Sequence, residues 1–180
     1  VRQLERHRAL SGEQAAPIRL RAHLEVLRSL ALDAGALANY WRGLTAQDRQ
    51  SPRLAGEVAR LLIAADDCLN AQRIVEDALD EEWDSSLVAV YGECKGGDVL
   101  GRIAQGEDWL KRHPRDAQLL LTLGRLCRQQ QLWGKAQSYL EASLSLQPTR
   151  AVHVELAQLF DHLERPEEAN RHYRAAASAA

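Results

Sequence analysis

The side chains of this 180-residue chain with most to offer chemistry are six histidines, three cysteines and several paired acids. The histidines are His7, His23, His113, His153, His162 and His172. His153 and His162 stand nine apart on one expected helix, about 180° apart around its axis, so they form no local chelating pair. Cys68, Cys94 and Cys127 are odd in number and include no C-x-x-C, which argues against a disulfide framework or a zinc site and fits a reducing compartment. Asp66-Asp67 and Glu81-Glu82 read as solvated turns rather than divalent-ion ligands. Lys95-Gly96-Gly97-Asp98 is a tight turn, too short to cradle phosphate. No H-E-x-x-H, G-x-S-x-G, phosphate loop or dinucleotide fingerprint occurs. The expectation is a non-enzymatic chain with no catalytic and no metal site.

The elements that position these groups are helical. Leu119, Leu120, Leu123, Leu126 and Cys127 recur at helical spacing, with Gly124 among them, and Gln129–Gln131 interrupt the stripe. A second stripe runs through Trp133, Ala136, Tyr139, Leu140, Ser143 and Leu144 to Pro148. The small residues Gly124, Ala136 and Ser143 let two such helices cross closely. Pro114 and Pro148 are 34 residues apart, the period of a tetratricopeptide repeat. The triplet Ala136, Leu140, Ser143 returns as Ala169, Tyr173, Ala176, and an earlier copy reads Ala71, Val75, Ala78.

The spacing therefore predicts an all-α fold, a right-handed tetratricopeptide superhelix of antiparallel helix pairs with about ten helices. Residues 1–50 form N-terminal helices and a degenerate repeat. Residues 51–83 are a repeat, 84–115 an irregular one, 116–148 a regular one, and 149–180 the terminal repeat and cap, all in one continuous solenoid. Residues 1–10 read as the end of a basic helix. Residues 17–32 read as a long helix with Pro17 in its first turn, where a missing N–H costs little. Thr45 to Asp48 resembles a capping box. Gly101 and Gly106, each costing about 1 kcal/mol in a helix, call for a close contact. Trp41, Trp83, Trp109 and Trp133 read as packing residues.

Charge is uneven. Residues 1–50 hold 8 Lys/Arg and 5 Asp/Glu, residues 51–110 hold 5 and 13, and residues 111–180 hold 10 and 7, for a net charge of −2. That balance favours no nucleic-acid partner; the acidic middle is a solvated surface or an orienting field. No 18-residue apolar run is present. The chain holds no methionine and opens in helix-like sequence, which reads as a fragment or a processed product.

Several segments together narrow the resemblance: Tyr40 to Leu44, Leu61-Leu62 through Asp66-Asp67, Ala71 to Leu79, Trp109-Leu110 with His113-Pro114, Leu119 to Gly134, and Leu156-Ala157 with Leu163 to Ala169. Over nearly its whole length the chain resembles the C-terminal domain of the HemY-type proteins of proteobacterial protoheme biosynthesis. The resemblance implies the soluble repeat domain of an inner-membrane haem-biosynthesis accessory protein. It would be anchored by N-terminal membrane helices outside this chain and would face the cytoplasm. No cofactor is implied, and no single matched motif is catalytic.

In tetratricopeptide arrays the first helix of each pair lines a concave face that takes a peptide or protein. The expected partner-binding groove comprises Arg53 and Arg60; Gln118, Leu121, Arg125, Arg128 and Gln129; and Val154, Gln158, Asp161 and His162. Its arginines suit a partner bearing carboxylates, for instance a haem-pathway enzyme held near the membrane. One alternative is a haem or porphyrin carrier, which needs an imidazole or thiolate facing an apolar slot. Another is an unrelated adaptor in envelope assembly.

Overall fold

The structure, a computed structural model, describes residues 12–179, with side chains from residue 15 onward. The helix expected over residues 1–10 lies outside the described residues. Eleven helices and no strands are present among the described residues. They fall into two compact units, one up to Val90 and one from Tyr91.

In the first unit, α1 (Gly12–Ser29), α2 (Ala34–Arg42) and α3 (Ala46–Arg49) pack on α4 (Pro52–Ala64), which also pairs with α5 (Cys68–Glu81). Pro17 lies inside α1 rather than in its first turn, the chain being helical already from Gly12, the first described residue. Short polar side chains start the next helices. Asp33 accepts the N–H of Ala36 at 2.8 Å, Thr45 that of Asp48, Ser51 that of Leu54 and Asp67 that of Asn70 at 3.1 Å. Leu27, Leu37, Leu54, Val58, Leu62 and Val75 make the core. The short α6 (Ser85–Tyr91) lies close on α4, since a Cβ on Gly56 would come within 3.2 Å of Leu87.

The second unit holds α7 (Val99–Arg112), α8 (Ala117–Gln129), α9 (Trp133–Leu146), α10 (Arg150–His162) and α11 (Pro166–Ser178). Each packs on the next, α7 on α8 through to α10 on α11, and α8 also touches α10. The small residues do what their spacing suggests. A Cβ on Gly124 would stand 2.6 Å from Leu140 Cγ, Ala136 is fully buried, and Ser143 Oγ donates to the Ala117 carbonyl at 2.8 Å, tying α9 to α8. Gly106 is required by α8, whose Leu123 would lie 2.7 Å from an added Cβ. Gly101 has a different reason, its N–H being capped by Asp98, whose carboxylate fills the space a Cβ would need.

Three interhelical turns share one backbone form. Asp66, Gln131 and Glu164 have φ of 61°, 57° and 57°, the left-handed region. The next residue in each case bonds back five positions: Asp67 N–H to Leu62 O, Leu132 N–H to Cys127 O, and Arg165 N–H to Phe160 O. The left-handed residue itself bonds back three, to Ile63, Arg128 and Asp161. These are Schellman ends, and the residue that closes each one is already the N-cap of the following helix.

The cysteines depart from the sequence reading. Cys68 and Cys94 are disulfide-bonded, and Cys127 is the free thiol among the described residues. An odd cysteine count argues only against every cysteine pairing within the chain, and one of the three stays free. Cys127 is fully buried on the α8 apolar face, and burial pushes its thiol up to about 11.

Candidate functional site

Arg125 and Arg128, one turn apart on α8, converge on a single carboxylate from α10. Arg125 Nε donates to Glu155 Oε1 at 2.7 Å. Arg128 Nη2 stands 2.7 Å from Oε2, an ion pair without hydrogen-bond alignment. The Glu155 side chain is only 11% exposed, while those of the two arginines are 27% and 32% exposed. The buried carboxylate thus fixes two guanidiniums from below and leaves a net single positive charge with unused N–H donors facing outward.

Beside this triad, Gln129 ends α8, Trp133 opens α9, and Gln158 and His162 come from the last two turns of α10. With Arg128 they line an open pocket of about 300 Å³. The Trp133 and His162 rings lie 4.2 Å apart, tilted by 38°. Tyr173 on α11 donates to Asp161 at 2.6 Å, a bond that raises the phenol's pKa.

Of the expected groove residues, Arg125, Arg128, Gln129, Gln158 and His162 come together here. Asp161 is turned toward Tyr173, Gln118 bonds Thr122 at 3.4 Å, and Val154 is half-buried. Leu121 is 4% exposed and offers no surface. Arg53 and Arg60 are exposed on α4, in the first unit. Sequence reasoning missed Glu155 and Trp133. Glu155 had a signal: it is a lone carboxylate in the apolar stripe Val152, Leu156, Leu159 and Phe160, and such a group needs a cation.

Other polar clusters lie within each unit. In the first unit Asp48 lies 3.4 Å from Arg19 Nε and 3.6 Å from His23 Nε2, with His23 Nδ1 2.8 Å from the Tyr40 hydroxyl. In the second, Glu107 accepts from Lys135 and Tyr139, both at 2.8 Å, and these bonds hold its carboxyl below the usual range. The guanidinium of Arg102, buried, donates to the carbonyls of Tyr91, Cys94 and Gly96 at 3.2, 2.9 and 2.5 Å. His153 Nδ1 and His172 Nδ1 are 3.0 Å apart, one donating to the other, with Phe160 stacked on His172. Among the described residues no three His, Cys, Asp or Glu side chains converge as metal ligands, and no helix is long and apolar enough to cross a membrane.

Helix pairs joined by identical bends and packed in sequence define the tetratricopeptide class. A thermophilic tetratricopeptide protein of Thermus thermophilus matches with a TM-score of 0.67 and 20% identity over 92% of each chain. MamA of Desulfovibrio magneticus RS-1 matches with a TM-score of 0.56 and 14% identity, over 87% of this chain and 94% of that one. Both are likenesses of fold. No family model matches the chain. In sequence it is similar to Protein HemY of Escherichia coli K12 and of Shigella flexneri, 27% identical over 169 residues in each case, which is 92% of this chain. It spans 40% of the length of those curated relatives. The match agrees with the HemY-type repeat domain that the sequence resembles.

Proposed function

We propose that this chain is the non-enzymatic repeat domain of a membrane-anchored accessory protein of haem biosynthesis, and that it holds a protein partner on the α8–α10 face of its second unit. The observation that carries the reading is the pair of half-exposed arginines fixed by Glu155 beside an open aromatic pocket. A rigid, pre-oriented cationic surface of this kind suits recognition, since little side-chain freedom remains to be lost on binding. Similarity to Protein HemY supports the haem-pathway setting.

The test is a photo-crosslinking residue at Gln129 in the full-length protein in cells. The expected product is a haem-pathway enzyme crosslinked at that position and lost on Arg125→Glu with Arg128→Glu. Crosslinks unaffected by the double reversal would overturn the groove. A haem titration is the control: a saturable Soret shift abolished by His162→Ala would replace the scaffold with a porphyrin carrier.

The resemblance implies a cytoplasm-facing domain. Disulfide-bonded Cys68 and Cys94 pull the other way, because such bonds persist mainly in oxidising compartments. Alkylation in intact cells decides between them: ready labelling of both thiols without reductant fits the cytoplasm, and labelling only after reduction fits the opposite side.

A further inference from the structure

Resting on that reading of the face, we infer that its ligand is an extended peptide segment carrying an aromatic side chain next to an aspartate or glutamate, and that Glu155 acts as a built-in competitor for the acidic group.

The pocket's size comes first. About 300 Å³ is at the lower limit for a small-molecule site and matches one large side chain rather than a whole ligand. The Trp133–His162 ring pair, 4.2 Å between centroids and tilted by 38°, lines it and offers aromatic surface to a third ring. Arg128 on the rim disfavours a cation over the Trp133 face, so an aromatic residue suits the slot better than lysine or arginine. Gln129 and Gln158 flank the pocket. A primary amide presents a carbonyl acceptor and N–H donors, the complement of a peptide backbone's own pair. An extended segment can therefore bond along the pocket while one side chain enters it.

The acidic neighbour is set by the triad. Glu155 occupies one side of each guanidinium at 2.7 Å, yet its Oε2 lacks an aligned hydrogen bond. Two cations sharing one imperfectly bonded, buried anion retain an outward positive charge, and a ligand carboxylate completes it. Glu155 also weakens that ligand's hold by neutralising half the site. It keeps the arginines oriented while the face is empty and sets the affinity below what two free guanidiniums would give.

Selection of a random seven-residue peptide library on the whole protein tests this, followed by titration of the recovered peptides. The expected result is enrichment of Asp or Glu adjacent to Trp, Tyr or Phe. Binding should be lost with Trp133→Ala and strengthened about tenfold by Glu155→Gln, the scale of one close charge pair. Binding should also weaken with added salt, more steeply in Glu155→Gln than in the parent. Enriched peptides of another composition, or weaker binding by Glu155→Gln while its helicity and melting are unchanged, would overturn the inference and leave the face as a binding site. No enrichment of any peptide would overturn the peptide-groove reading itself.

Discussion

Replacing Gly124 by alanine separates packing from helix propensity in one atom. In an open helix the change stabilises by up to about 1 kcal/mol. At Gly124 the new Cβ lands 2.6 Å from both Cγ and Cδ2 of Leu140, roughly 1 Å inside the optimum carbon–carbon separation of about 3.5–4.0 Å. Leu140 is fully buried, and Cγ is its branch point rather than a free end, so it has nowhere to swing. Overpacking of this kind costs about 1–3 kcal/mol. After the propensity gain the variant should be less stable by about 0.5–2 kcal/mol. At about 2–4 °C per kcal/mol for a chain of this size, melting should fall by about 1–8 °C. Gly134→Ala, on α9 with nothing within 4 Å of the added carbon, is the matched control and should raise the melting temperature. Circular dichroism melts of both variants, with Leu140→Ala and the double variant Gly124→Ala/Leu140→Ala, complete a cycle. The double variant should be more stable than the sum of the single effects by about 1 kcal/mol or more. If Gly124→Ala stabilised as much as Gly134→Ala, the close crossing of α8 and α9 would be wrong.

Gln131→Gly relieves a left-handed residue that costs about 1–2 kcal/mol in an L-amino acid and gives part back to the unfolded chain's freedom; a small rise in urea midpoint is expected, and a fall would contradict the φ of 57°. Burial, then the charge of neighbouring His153, holds His172 below its ordinary 6.5. The native state thus binds fewer protons than the unfolded one, and stability present above pH 6.5 is lost as pH falls from there through the lower folded value. Melting of His172→Phe should be flatter across that range, and an unchanged slope would exclude the pair as the cause. Arg102→Met leaves the buried carbonyls of Tyr91 and Cys94 without the guanidinium donor, at about 1–3 kcal/mol each; amide exchange should accelerate across residues 92–101, and unchanged protection there would refute the anchoring role.

Local and contiguous features were legible in the sequence. The stripe through Leu119, Leu123 and Leu126, the small residues at Gly124 and Ala136, and the cap at Thr45 each depend on residues within a turn or two of one another. What escaped depends on residues a repeat apart. The nine-residue spacing of His153 and His162 correctly excluded that pair, yet nothing along one helix points to His172, 19 positions on, as the true neighbour. The Arg125–Glu155 bond spans 30 positions, and periodicity places a residue on a face without saying what opposes it. Leu121 was assigned to the open face by repeat position, but its burial shows that position alone does not decide exposure. The role of Arg102 has no sequence signal, because its three acceptors are main-chain carbonyls, which carry no signature in residue type.

The three Schellman bends bear on how such a chain can age. Asp66, Gln131 and Glu164 have no side-chain chemistry that the bend uses; the main chain alone makes it. After duplication, each copy of the hairpin can wander through unrelated residues at its corner and still turn at the same angle, with a modest strain as the toll. Lineages can thus lose recognisable kinship in their letters long before they lose it in their path. A chain with 20% identity to a thermophilic tetratricopeptide protein can still share its fold over 92% of its length.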